Sequence, residues 1–126
     1  MEALGADDLS WADMAFISAM AVQCKSAVHV VDRCKAKGLK IVAGGPLFTA
    51  QPYDFEQVDH LVLDEAEATL PAFLKDLKNG CPKQLYLAKE YPEIRRSPIP
   101  LWGLIDTRRY ASLNIQYSRG LSLIHI

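Results

Sequence analysis

Two short apolar runs, Met14-Ala15-Phe16-Ile17 and Ile41-Val42-Ala43, each lead directly into small residues. The first ends at Ser18-Ala19-Met20, the second at Gly44-Gly45-Pro46. Between them Cys24, Ala27, Val28, Val31 and Cys34 recur at helical spacing, which predicts a helix over 22–37. Gly38 stands where a residue of left-handed conformation ends such a helix. Strand, helix and strand in this order make a parallel βαβ unit. In an open α/β sheet a ligand sits beyond the carboxyl ends of the strands, where small side chains let it approach the backbone. Ser18 and the pair Gly44-Gly45 occupy those ends.

His60-Leu61-Val62-Leu63 predicts a third strand, and Leu70, Phe73, Leu74 and Leu77 give the i, i+3, i+4, i+7 stripe of a helix closed by Asn79-Gly80. Asp64 followed three residues later by Glu67 reads as a capping-box-like pair, with acidic groups at the positive end of the helix dipole. The intervening 48–56 is turn-rich and contains Pro52, so it can hold at most a short, irregular helix. Residues 13–80 therefore predict β-α-β-(short α)-β-α, a partial parallel sheet of three strands with flanking helices, of the flavodoxin or Rossmann-like kind. Three strands are few for a doubly wound sheet, and residues 1–12 offer no strand to open it. The expectation is a piece that begins inside its domain.

Pro82, Pro92, Pro98 and Pro100 mark residues 81–111 as an extended linker, with a short strand candidate at Gln84-Leu85-Tyr86-Leu87. Leu113-Asn114-Ile115-Gln116-Tyr117 then alternates apolar and polar as a new strand would. Charge changes across the same boundary. Residues 1–80 hold 7 Lys/Arg against 12 Asp/Glu, net −5, and residues 81–126 hold 7 against 3, net +4.

Composition narrows the class. Of 126 residues, 50% are hydrophobic and 23% charged, as in a soluble globular chain and unlike a disordered one. The total charge of −1 supplies no field that would steer the molecule to nucleic acid. Arg95, Arg96, Arg108 and Arg109 are not interleaved with aromatics on one face, so contacts to another part of a longer protein explain them better. No apolar run reaches the ~20 residues of a membrane span, and the acidic start lacks the order of a signal peptide, so the cytoplasm is the expected location. Three cysteines without short spacing, Cys24, Cys34 and Cys81, fit neither a disulfide framework nor a self-contained zinc site. Cys24 and Cys34 fall on the apolar helix stripe as small core residues, and His29 falls off it, towards solvent.

The order Trp11-Ala12-Asp13, Phe16-Ile17-Ser18-Ala19-Met20, Gln23, Gly44-Gly45-Pro46 and Leu61-Val62-Leu63-Asp64-Glu65-Ala66-Glu67-Ala68-Thr69-Leu70-Pro71 resembles the cobalamin-binding-like domain of cobalamin-dependent radical S-adenosylmethionine proteins, within them the hopanoid-methylase-like group. Pro98-Ile99-Pro100-Leu101-Trp102, Leu104-Ile105-Asp106 and Arg109-Tyr110 resemble the passage into the radical barrel, and Gln116-Tyr117-Ser118-Arg119-Gly120 its first strand, at 112–120. The resemblance implies a cobalamin site that includes Ser18, Ala19, Met20, Gly44, Gly45, Pro46 and Glu65, with Ser18 on the nucleotide tail. It implies a parent enzyme, a methyltransferase or a related radical enzyme, that uses a 4Fe-4S cluster and S-adenosylmethionine. Cobalamin and the barrel of the parent chain are the implied partners.

Two departures qualify it. Where the family continues from Ser-Arg-Gly into a Cys-x3-Cys-x2-Cys loop that ligates the cluster, this chain reads Leu121-Ser122-Leu123-Ile124-His125-Ile126. The hexapeptide 121–126 is expected to be an artefactual tail. The family's first two strands have no counterpart before Asp13. No catalytic residue and no metal ligand is therefore assigned, and the chain is expected to be inactive alone. The alternative is a non-catalytic flavodoxin-like binding or scaffold module without cobalamin. A phosphoacceptor module would need an aspartate and an acidic pair at the first strand ends, and a nicotinamide domain a G-x-G-x-x-G after a strand. Neither is present.

Overall fold

A computed structural model describes residues 5–90, 92, 93, 95, 97–99, 101–106 and 108. The chain divides into two units, residues 1–91 and 92–126. In the first, a short helix α1 (Ala6–Ser10) precedes β1 (Met14–Ser18), a 3-10 turn Ala21–Gln23 and α2 (Cys24–Ala36). Then come β2 (Lys40–Gly44), α3 (Pro46–Ala50), a 3-10 turn Pro52–Phe55, β3 (His60–Val62), α4 (Ala66–Lys78) and β4 (Leu85–Tyr86).

The four strands are parallel and lie in the order β1-β2-β3-β4. Three strands are expected from the sequence; the fourth is Leu85–Tyr86, which the proline-rich composition assigns to a linker. Leu61 and Leu63 donate their N–H groups to the carbonyls of Gln84 and Tyr86, at 2.7 and 3.0 Å. The Tyr86 side chain is buried, and its hydroxyl donates to Asp76 Oδ2 on α4 (3.0 Å) while accepting the Lys83 N–H (2.8 Å). Those bonds hold a two-residue strand that its own sequence specifies weakly.

Strand alternation sorts the core into two layers. Ile41, Ala43, Leu61 and Leu63 face α2, α3 and the 52–55 turn, packing with Ala27, Val31, Cys34, Leu47, Phe48, Phe55 and Val58. Val42, Val62 and Tyr86 face the other way, onto Phe73 of α4. The helix over 22–37 forms as expected and buries Ala27, Val31 and Cys34, whereas Val28 and His29 are exposed. Both long helices end in a Schellman motif around a glycine of φ +75°. Gly38 N–H bonds Lys35 O and Leu39 N–H bonds Cys34 O; Gly80 N–H bonds Leu77 O and Cys81 N–H bonds Asp76 O.

The stripe on α4 departs from the expected one in a single place. Phe73 is fully buried and Leu70 and Leu77 are partly so, but Leu74 is exposed. Thr69 lies buried in its stead, its hydroxyl donating to Leu63 O at 3.0 Å. Phe73 meets Phe16, His60 and Tyr86 at ring-centroid distances of 6.2, 5.4 and 5.5 Å, so α4 lies across the sheet from β1 to β4. All three connections advance one strand in the same direction. The first two run over one face and the third over the other, so the β3-α4-β4 connection has the opposite hand to its predecessors. The expectation of uniformly right-handed crossovers fails at this step.

At the start of β2 and β3, Asp59 acts as a pin. Its carboxylate accepts the Ile41 N–H and the Lys35 ammonium at 2.9 Å each, and the Lys40 ammonium at 3.2 Å. Burial pushes its pKa up, but these donors outweigh that and bring it to about 2, from 3.8. In the second unit, Trp102–Leu104 form a 3-10 turn, and the exposed Asp106 carboxylate accepts from the Arg108 guanidinium at 2.9 Å. The expected strand at 112–120 and the tail at 121–126 lie outside the described residues.

Candidate functional site

A cleft of about 570 Å³ opens at the carboxyl ends of β1, β2 and β3, on the face that carries α4. Its floor is apolar and comes from side chains that the strand pleat turns towards α4: Phe16, Val42 and Val62, together with Leu70. Phe16 is 59% exposed because the helix covers only part of it. Two loops form the rim. Ser18, Gly44, Gly45, Pro46 and Thr49 lie on one side, and Asp64, Glu65 and Glu67 on the other. No lysine, arginine or histidine lines it.

The two glycines are required by packing. A Cβ on Gly44 would come within 2.5 Å of the Val62 carbonyl oxygen on β3. Gly45 has φ +88°, and a Cβ there would come within 2.7 Å of Ser18 Oγ. Absent side chains thus let the ends of β1, β2 and β3 close up. They also leave backbone as the surface a ligand would meet. The Ser18 hydroxyl is exposed and makes no hydrogen bond among the described residues.

Five of the seven residues that the family resemblance implies line this cleft: Ser18, Gly44, Gly45, Pro46 and Glu65. Ala19 and Met20 do not. Ala19 is buried beneath the loop, where its carbonyl accepts the Leu47 N–H at 3.0 Å. Met20 begins the 3-10 turn, its N–H bonded to Gln23 Oε1 at 2.9 Å.

Asp64 does not cap α4. Glu65 is the N-cap residue, and its side chain makes no cap hydrogen bond. Asp64 instead adopts φ +60°, the one described non-glycine residue with positive φ. Its N–H donates to Thr49 Oγ1 and its carboxylate accepts the Ala88 N–H, both at 3.0 Å. Both partners are remote in sequence, so local capping rules could not reveal them.

Thr49 and the four floor residues are site members that the motifs did not single out. The signal for the floor is the strand alternation itself, because Phe16, Val42 and Val62 share the α4 face.

Among the described residues no group of three or more His, Cys, Asp or Glu side chains could hold a metal ion. Cys24 is partly buried, Cys34 buried and Cys81 exposed, and all three are free thiols. Burial pushes the Cys34 thiol above its ordinary range, against a smaller opposing effect of Arg33. No helix among the described residues is long and apolar enough to cross a membrane.

The chain is 37% identical over 112 residues to an uncharacterized methyltransferase of Synechocystis sp., a match covering 87% of this chain and 21% of that protein. It is 26% identical over 124 residues to a hopanoid C-2 methylase of Rhodopseudomonas palustris, covering 95% of this chain and 24% of the relative. The chain therefore spans between a fifth and a quarter of the length of these relatives. No protein family model matches it, and no solved structure does. Its similarity is to methyltransferases.

Proposed function

We propose that this chain is part of the cobalamin-binding module of a methyltransferase that works by radical S-adenosylmethionine chemistry. The observation that carries the reading is the cleft: glycine-walled, apolar-floored, and at the strand ends where α/β sheets take ligands. Its volume falls in the usual range of a small-molecule pocket and suits part of a corrinoid, such as the nucleotide tail. The similarity to a methyltransferase and to a hopanoid C-2 methylase supports the reaction class.

The rim chemistry fits the cofactor. Polyanionic phosphate ligands would meet Asp64, Glu65 and Glu67 with no cation to offset them. A corrinoid edge offers neutral amide N–H donors, which carboxylates and hydroxyls accept. In this reading Ser18 bonds the tail, Gly44 and Gly45 let it lie against the backbone, and Phe16, Val42, Val62 and Leu70 keep water from its buried face. Bound cobalamin supplies a carrier for the transferred methyl group. The iron–sulfur cluster and S-adenosylmethionine would be held elsewhere in the parent enzyme, since the described residues do not fit a cluster.

Titrating the protein with hydroxocobalamin and following the visible spectrum tests this. A saturable shift is expected, with Ser18→Val weakening binding by roughly five- to tenfold through the lost hydrogen bond. Absence of any shift at high micromolar cofactor would overturn the reading. It would favour a scaffold module, for which the glycines, already explained by packing against Val62 and Ser18, need no ligand.

A further inference from the structure

We infer that Asp64 is the positioning residue of the cleft, a clamp that fixes three of its surrounding segments through one strained position. The inference rests on the corrinoid reading only for the ligand used in one arm of its test. Asp64 stands where β3 hands the chain to α4, and it lines the cleft. A φ of +60° costs an ordinary L-residue on the order of 1 kcal/mol, and aspartate is among the few that tolerate it. Such a conformation persists only where the surroundings over-determine it, and positions of this kind cluster at ligand clamps.

The surroundings here are specific. Thr49, in the last turn of α3, receives the Asp64 N–H at 3.0 Å. The Asp64 carboxylate holds the Ala88 N–H at 3.0 Å, just after β4. That bond is charge-assisted and therefore stronger than a neutral one. It also seats residues 88–90 against a smaller hollow of about 140 Å³ that Asp64 shares with Ala88, Lys89 and Glu90. One residue thus sets the α3 rim, the start of α4 and the segment after β4 relative to one another. The floor residues are held independently by the sheet and Phe73. Losing the clamp should loosen the rim without unfolding the chain.

Three variants of the full chain separate the contributions. Asp64→Gly keeps the backbone conformation and removes the carboxylate. Asp64→Asn keeps an acceptor and tolerates positive φ. Thr49→Val removes the acceptor for the Asp64 N–H at nearly constant volume. Amide hydrogen exchange without ligand is the first measurement, hydroxocobalamin affinity the second. Asp64→Gly is expected to speed Ala88 amide exchange about tenfold, and to weaken hydroxocobalamin binding by a similar factor with the melting transition retained. Asp64→Asn should restore both to within about threefold of the original, and Thr49→Val should speed exchange at Asp64 but not at Ala88.

Unchanged Ala88 exchange in Asp64→Gly would overturn the clamp, and so would equal binding by Asp64→Gly and the original chain. An Asp64→Asn variant as impaired as Asp64→Gly would also overturn it. If the original chain does not bind hydroxocobalamin but the exchange pattern holds, the clamp stands and the corrinoid reading falls.

Discussion

Replacing Asp59 by asparagine should cost the fold about 2 kcal/mol at neutral pH, and the cost should vanish in acid. The Asp59 carboxylate is 16% exposed and accepts three donors, one of them the buried Ile41 N–H. Burial opposes its ionisation, yet the Ile41 N–H and the Lys35 and Lys40 ammonium groups bring its pKa to about 2. Against the ordinary 3.8, that drop is worth roughly 2 kcal/mol at about 1.36 kcal/mol per unit. Because the folded value lies below the unfolded one, the contribution is complete above about pH 4 and is lost as pH falls through about 2. Asparagine imitates the protonated acid: it can still accept from Ile41 but attracts neither lysine. Urea unfolding of the full chain, original against Asp59→Asn, at steps from pH 7 to pH 2.5 measures the difference directly. The gap should be about 2 kcal/mol at pH 7 and narrow steadily below pH 4. High salt should trim the gap only modestly, since the lysines are exposed but the Ile41 bond is sheltered. A gap that stays constant with pH, or one under about 0.5 kcal/mol at pH 7, would refute the reasoning.

Other substitutions probe the remaining parts of the account. Phe73→Ala removes the fully buried side chain joining Phe16, His60 and Tyr86, and should cost about 3–5 kcal/mol, enough to abolish a cooperative thermal transition by circular dichroism. Gly38→Ala and Gly44→Ala should differ in kind. The first places a Cβ in open space at φ +75° and should cost only about 1 kcal/mol. The second drives a Cβ to 2.5 Å from Val62 O and should both lower the melting temperature further and impair hydroxocobalamin binding. Among the cysteines, Cys81 should alkylate with iodoacetamide first and Cys34 last, by mass-spectrometric mapping, because Cys81 is exposed while burial of Cys34 raises its thiol pKa.

What the sequence made legible was whatever depends on local pattern. The apolar runs at β1, β2 and β3, the α2 stripe and the helix stops at Gly38 and Gly80 needed only periodicity and glycine chemistry, and the structure has them all. The strand ends were legible for the same reason, which is how Ser18, Gly44 and Gly45 could be placed at one site. What escaped depends on partners distant in the chain. β4 is two residues beside Pro82 and joins the sheet through Leu61, Leu63 and Asp76, none of which its own composition announces. Phe48 and Phe55 hid in a turn-rich stretch, yet both are buried, with rings 4.6 Å apart. Asp64 looked like a capping residue because its spacing to Glu67 fits. Its carboxylate is engaged by Ala88, across 24 residues. Thr69 took the place expected of Leu74 because its hydroxyl could satisfy the Leu63 carbonyl beside α4.

The central claim, a corrinoid seated at the carboxyl ends of β1 to β3, is tested most directly by mapping amide chemical shifts of the isotopically labelled chain during addition of hydroxocobalamin. Perturbations should concentrate at Ser18, Gly44, Gly45, Thr49 and Glu65, and leave the exposed residues Lys25, His29 and Lys37 unmoved. Shifts confined to the α2 surface, or none at saturating cofactor, would contradict it.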